Sequence, residues 1–226
     1  MTNLSCIGGS RAHNLQIEGS DTDLLVMLNE GQKIKIENKD GYNIIYYTPS
    51  RFLNRLDGIE EYCHIWQFLY PQSFTENNFL VEYIKENREK ITRANLPYIY
   101  KSFSNYFYNC ISNMESFYKV RKKSISYSFL YAFALYNYAN GLSFDKCLRP
   151  EGEWHDTLLG IRTGEISFEQ CKVLKENYTQ KIKSVENFYK YFDCRNILEE
   201  FKKIIKSQDY MSYEDIVLSN KLMRRE

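Results

Sequence analysis

Strand patterns, as short apolar runs or as alternation, lie in the chain up to Tyr47, and helical periodicity takes over after it. Leu4 to Ile7 is a short apolar run that predicts a strand, broken by Gly8-Gly9-Ser10. A polar turn or short helix then leads to Ser20, and Leu24 to Leu28, apolar on both faces, predicts a strand buried in mid-sheet. Gln32 to Glu37 alternates around Ile34 and Ile36. Asn38-Lys39-Asp40-Gly41 is a turn with a hairpin signal, and Tyr42 to Tyr47 is a further strand. Thr48-Pro49 starts a helix, with Thr48 as N-cap, Pro49 in the first turn and Phe52, Leu53 and Leu56 facing inward. That helix is expected to end near Asp57-Gly58, and another to run from about Ile59 to Tyr70, where Pro71 stops it.

The remainder reads as helices. Thr75 to Lys90 places Phe79, Tyr83 and Ile84 on one side. Asn95-Leu96-Pro97 then interrupts the chain, and the expected division is residues 1–90 and 91–226. Tyr100, Phe103, Phe107, Cys110, Ile111, Met114 and Phe117 repeat at helical spacing, as do Ile125, Phe129, Ala132, Phe133, Tyr136 and Ala139 before Gly141. Ser167 with Gln170 is a capping box for a helix running to about Phe192. Two shorter helices follow, the last capped by Ser212.

The 226 residues suffice for a real core, as one large domain or two small ones, and 43% hydrophobic content fits a globular chain. A net charge of +1 argues against a strongly basic nucleic-acid binder while leaving room for a local basic patch. Six cysteines without a Cys-x-x-Cys pair, no leader-like N-terminus and no run of membrane-spanning length point to a cytoplasmic protein with reduced thiols and no membrane partner. The 20 tyrosines and 14 phenylalanines admit two readings, helix packing or base stacking, and their regular spacing favours packing. Arg121-Lys122-Lys123 fits a solvated loop or a grip on polynucleotide phosphates.

The chemistry concentrates between Gly8 and Leu28. Asp21 and Asp23 are two apart on a strand, so they project from one face, where hard carboxylate oxygens suit Mg²⁺ or Mn²⁺. Gly9 has no Cβ, which lets backbone amides approach a phosphate chain, and Ser10 sits where a short helix would begin. Arg11 can pair with phosphate or with an acid of its own domain, and His13 lies in the same loop. A phosphate cradle beside metal carboxylates is a site for a nucleoside triphosphate.

Ten residues separate Ser10 from Asp21. Strand, Gly-Ser, Asp-x-Asp, strand at this spacing resembles the nucleotidyltransferases of the DNA polymerase β type. Gly9-Ser10-Arg11-Ala12 with Ser20-Asp21-Thr22-Asp23-Leu24 looks most like the predicted nucleotidyltransferases found beside RNA-repair ligases and in phage genomes. Leu158-Leu159-Gly160-Ile161-Arg162-Thr163-Gly164-Glu165-Ile166-Ser167 looks like that subgroup's C-terminal helical region.

The resemblance implies an α+β chain: a nucleotidyltransferase-fold mixed sheet with flanking helices, followed by an all-helical domain. It implies transfer of a nucleoside monophosphate from a nucleoside triphosphate to an acceptor hydroxyl, with RNA or a tRNA end as acceptor; a protein hydroxyl stays open. Asp21 and Asp23 would be the catalytic metal ligands, and Gly8, Gly9, Ser10, Arg11 and Ser20 the nucleotide-binding set. The sequence departs from the pattern at two places: Asn43 stands at the third catalytic carboxylate, and Gln67 where the next helix is expected to carry glutamate. Glu37 and Asp40 are the acids near enough in sequence to replace it. An amide oxygen can ligate Mg²⁺ but is a poor base. A nucleotide- or RNA-binding module without turnover is the alternative function.

Overall fold

The computed structural model describes residues 1–31, 36–39, 41–56, 65–190, 195–212 and 214, and shows an α+β chain. Among them, β1 (Ser5–Gly8), β2 (Thr22–Met27), β3 (Ile36–Lys39) and β4 (Tyr42–Tyr47) form one mixed sheet in the order β1-β2-β4-β3. β2 runs antiparallel to β1 and parallel to β4, and β3 closes antiparallel on β4. Lys39 pairs with Tyr42, so the strand takes in Asn38 and Lys39, which the sequence pattern assigned to the turn. Residues 32–35 and Asp40 lie outside the described residues.

The two faces of the sheet bury different sets. Leu25, Met27 and Tyr47 join the main core, with Ile45 packed against it. Leu24, Val26, Leu28, Ile44 and Tyr46 form a separate small cluster on the other face. Both faces are apolar, which is why Leu24 to Leu28 lacks the alternation of a half-exposed strand.

Short helices flank this sheet. α1 (Gly9–Ala12) follows β1 directly, and α2 (Pro49–Leu56) begins where expected, the Arg51 amide donating to Thr48 Oγ1 at 3.4 Å. α3 (Ile65–Leu69) is wholly buried, while residues 57–64, including the expected end of α2, lie outside the described residues.

α4 (Phe79–Ala94) starts four residues later than Thr75, because the Asn78 side chain accepts from the Val81 amide at 3.1 Å and caps it there. Phe79 consequently points to solvent, 67% exposed, rather than into the core. The run from Tyr100 to Phe117 is two helices, α5 (Leu96–Ser112) and α6 (Met114–Val120), separated at Asn113.

α7 (Lys122–Ala139) is the hub of the helical half, packed by α5, α6, α8 (Phe144–Leu148), α9 (Glu153–Thr163) and α10 (Phe168–Val185). Small residues allow this crowding: Ser126 and Ser128 are buried, and Ser126 Oγ donates to the Leu158 carbonyl at 2.8 Å. The expected capping box at Ser167 and Gln170 is present on α10. That helix gives way to a 3₁₀ turn over Glu186–Lys190 rather than running to Phe192. α11 (Arg195–Ser207) packs on α4 and α2, and Tyr210 bridges back to Thr2; the helix expected after Ser212 lies outside the described residues.

One buried apolar cluster therefore runs from Leu4 to Tyr210, across the break at Asn95. Its aromatic rings meet edge-on, tilted or stacked, as Trp66 with Phe144, Phe103 with Tyr131 and Phe103 with Phe144 do, which accounts for much of the aromatic excess as packing. Cys6, Cys110, Cys147 and Cys171 are free and buried. No helix among the described residues is long and apolar enough to cross a membrane.

Candidate functional site

Gly8, Asp23 and Asn43 lie in one row across β1, β2 and β4. Residues paired across strands point to the same face, so Asp23 and Asn43 project together at the rim of the main core. Asp21, two residues before Asp23, joins them. The Asn43 amide nitrogen donates to Asp21 Oδ2 at 3.1 Å and to Asp23 Oδ1 at 3.4 Å. Both carboxylates thus converge on one point, and among the described residues neither has a lysine, arginine or histidine within ion-pair distance.

The same register settles one of the two substitute acids. Glu37 pairs with Ile44, one residue along from Asn43, and so faces the opposite side of the sheet, where it accepts from Tyr46 Oη at 3.4 Å. Asp40 lies outside the described residues. No third acid, histidine or cysteine gathers at the pair among the described residues.

Half a turn of the Asn43 amide would present its oxygen where its nitrogen now stands. Two carboxylates without a counter-charge, plus that oxygen, are hard donors of the kind Mg²⁺ and Mn²⁺ take. The residues present fit such an ion.

Gly9 is required for a reason other than an open phosphate path. Its φ is +62°, and a Cβ built there would overlap Asp23 Oδ2. Gly8 is confined as well, with Leu25 Cγ 2.7 Å from where its Cβ would stand. The Gly9 amide is already engaged: it donates to Gln67 Oε1 at 3.0 Å. Gln67 Nε2 donates to His13 Nε2 at 2.9 Å, and His13 Nδ1 donates to the Leu148 carbonyl at 2.9 Å. A carbonyl only accepts, so the proton is on Nδ1 and the imidazole is neutral. Burial, opposed by the bond to Leu148 and aided by Arg149, lowers the His13 pKa to about 4. Gln67 is 1% exposed and serves this chain of bonds from beneath the loop, not the face of the carboxylates.

The helical half grips the rest of the loop. His155 Nε2 donates to the Asn14 carbonyl at 2.8 Å, and Arg149 Nη1 to the Ala12 carbonyl at 3.4 Å. Arg162 Nη2 donates to Ser20 Oγ at 3.1 Å, while Ser20 Oγ also accepts from the Ile17 amide at 2.9 Å. His155 and Arg162 are two turns apart, so one face of α9 lies along the loop. Ser10 is buried, and Arg11 Nε is buried with no partner of its own.

Tyr127 of α7 completes the surroundings. Its ring meets His13 edge-on at 5.7 Å, and the exposed Lys123 sits over its face at 5.8 Å. Burial chiefly raises its hydroxyl pKa, to about 12; Arg162 and Ser10 pull it down and Asp23 pushes it up.

Tyr127, Arg162 and the position of Gln67 beneath the loop come from the fold and not from the sequence pattern. Arg162 lies in the Leu158–Ser167 stretch set apart by its resemblance, and Tyr127 follows the basic cluster at residues 121–123 by one helical turn; each signal marked a segment without saying what it touches. Compared with protein-family models, curated proteins and solved structures, the chain gives no match.

Proposed function

We propose that the chain is a metal-dependent nucleotidyltransferase of the DNA polymerase β type, acting on a nucleoside triphosphate and an RNA hydroxyl. The observation that carries this reading is the convergence of Asp21 and Asp23 on Asn43 without a cation among the described residues. The packing of Asp23 against Gly9 of the glycine-serine loop, and the resemblance of both segments to that superfamily, agree with it.

In the proposed reaction the acceptor oxygen attacks the α-phosphorus, the bond from that phosphorus to the bridging oxygen breaks, and pyrophosphate leaves. Mg²⁺ held by Asp21 and Asp23 would supply charge neutralisation at the attacking and departing oxygens. Asn43 holds the two carboxylates together but takes no proton; of these three side chains, only the carboxylates can receive the one released by the acceptor. Gly9 leaves room for Asp23, and Gln67 fixes the loop from behind. Lys123 and its neighbours Arg121 and Lys122 give a basic approach for a polynucleotide.

The second reading, binding without turnover, draws on Asn43 itself, since an amide replaces the expected base. Pyrophosphate release from each nucleoside triphosphate, with bulk RNA and Mg²⁺, decides between them. Release that disappears in Asp21→Asn and Asp23→Asn supports transfer. Mg²⁺-triphosphate binding without release favours the module, and binding undiminished in both variants removes the site assignment.

A further inference from the structure

Two polar groups beside the loop are buried and, among the described residues, neither completes a hydrogen bond of good geometry. Tyr127 is 8% exposed and its hydroxyl has no partner in hydrogen-bond geometry. Arg162 Nη1 is likewise buried without an acceptor, although Nη2 of the same guanidinium is anchored on Ser20. Among the described residues no carboxylate lies within ion-pair distance of Arg162. Buried donors are ordinarily satisfied, and an orphaned one is costly.

The groups are neighbours. Tyr127 meets His13 of the loop edge-on at 5.7 Å, Arg162 and Ser10 are near enough to its hydroxyl to lower its pKa, and Lys123 lies over its ring. Ser20 accepts twice through its oxygen, which leaves its own proton to donate. The set therefore offers a guanidinium N–H, a phenol and two serine hydroxyls, with a lysine at the edge. Its complement is an anion with several acceptor oxygens. A carboxylate offers two; a phosphoryl chain offers more and matches a guanidinium fork.

We propose that Arg162 and Tyr127, with Ser10 and Ser20, form a polyphosphate-binding subsite that holds the terminal phosphates of the nucleotide, so that α7 and α9 supply half of the nucleotide site. This rests on reading Asp21 and Asp23 as the site's metal ligands. The division of labour follows from charge: the acids take the end of the polyphosphate that carries metal, and Arg162 takes the end that does not. The Gly9 amide, occupied by Gln67, contributes position and not a phosphate contact.

Calorimetric titration of the full chain with inorganic tripolyphosphate in EDTA isolates the subsite, since neither base nor metal takes part. Wild type is expected to bind. Arg162→Gln and Tyr127→Phe are each expected to weaken binding about tenfold or more, the effect of losing a hydrogen bond to a charged group. Lys203→Gln, a charge removed from an exposed position of α11, should leave it unchanged. The proposal is overturned if wild type does not bind, if Arg162→Gln and Tyr127→Phe bind like wild type, or if Lys203→Gln loses as much. Should Arg162→Gln fail to fold, Tyr127→Phe, which keeps the ring and its packing, decides alone. Pyrophosphate release plays no part in this assay, so the subsite stands or falls separately from the transfer reaction.

Discussion

Asn43 faces Asp23 directly across the parallel β2–β4 pair, and its amide nitrogen, 3.4 Å from Asp23 Oδ1, also reaches Asp21. A neutral donor thus holds together two like charges that would otherwise repel. Replacing it with a third acid reverses the balance. Asn43→Asp is expected to destabilise the chain in EDTA by about 1 kcal/mol per neighbouring carboxylate. In Mg²⁺ the same variant should gain more thermal stability than wild type does. If it also supplies the base, pyrophosphate release rises by roughly 10²–10⁴. Equal Mg²⁺ responses of the two melting temperatures would remove Asn43 from the metal site.

Gly9→Ala tests the packing of Asp23 on the loop. An alanine at φ +62° costs about 1–2 kcal/mol for conformation alone, and its Cβ would also overlap Asp23 Oδ2. Gly19 has φ +75° but nothing within 4 Å, so Gly19→Ala isolates the conformational part. Denaturant unfolding should show a larger loss for Gly9→Ala, together with lost Mg²⁺-triphosphate binding. Matching losses in the two variants would refute the overlap.

His13 makes stability fall with acid. Its folded pKa, about 4, lies below the ordinary 6.5 of the unfolded chain. Between those values the unfolded state binds more protons than the folded one, so stability decreases as pH drops through that window. The full effect is about 3 kcal/mol, reached below the folded value. Urea unfolding at a series of pH values checks it, with His13→Asn less stable throughout but lacking this component. A wild-type slope no steeper than the variant's would contradict the buried neutral imidazole.

Gln67→Glu should turn the bond to His13 into an ion pair. The carboxylate can still accept from the Gly9 amide, but it meets His13 Nε2 only if that nitrogen is protonated, since Nδ1 is committed to Leu148. An adjacent opposite charge favours imidazolium, so the titration midpoint of His13 should rise by roughly 1–3 pH units, read by NMR of the ring protons. A midpoint that stays near 4 would show that Gln67 does not set the state of His13.

Arg121, Lys122 and Lys123 sit over the rings of Phe117, Tyr118 and Tyr127 at the start of α7. Their joint reversal to glutamate should weaken RNA binding and flatten its dependence on salt, because phosphate contacts release counterions. Binding of single-stranded RNA measured across a salt series, with affinity and slope both unchanged, would leave this cluster as a solvated face.

Local chemistry in the sequence determined the strands around the Gly-Ser loop, the Thr48-Pro49 start of α2, the Ser167 capping box and the shared face of Asp21 and Asp23. Each depends on residues within a few positions of one another, where strand period, φ preference and capping act directly. α4 begins at Phe79 and not at Thr75 because the Asn78 side chain caps it there, and α5 and α6 part at Asn113 although the apolar spacing continues across it. Pairing register decided the rest of the carboxylate site: it set Asn43 against Asp23 and turned Glu37 to the far face, since a shift of one residue reverses every side chain in a strand. Tertiary packing alone brought Arg162 to Ser20, a separation of 142 residues, and Tyr127 to His13. It also buried Gln67 behind the loop instead of beside the acids. Long-range contacts of that kind arise from the fit of α7 and α9 against the loop between β1 and β2, which no local pattern in the chain encodes.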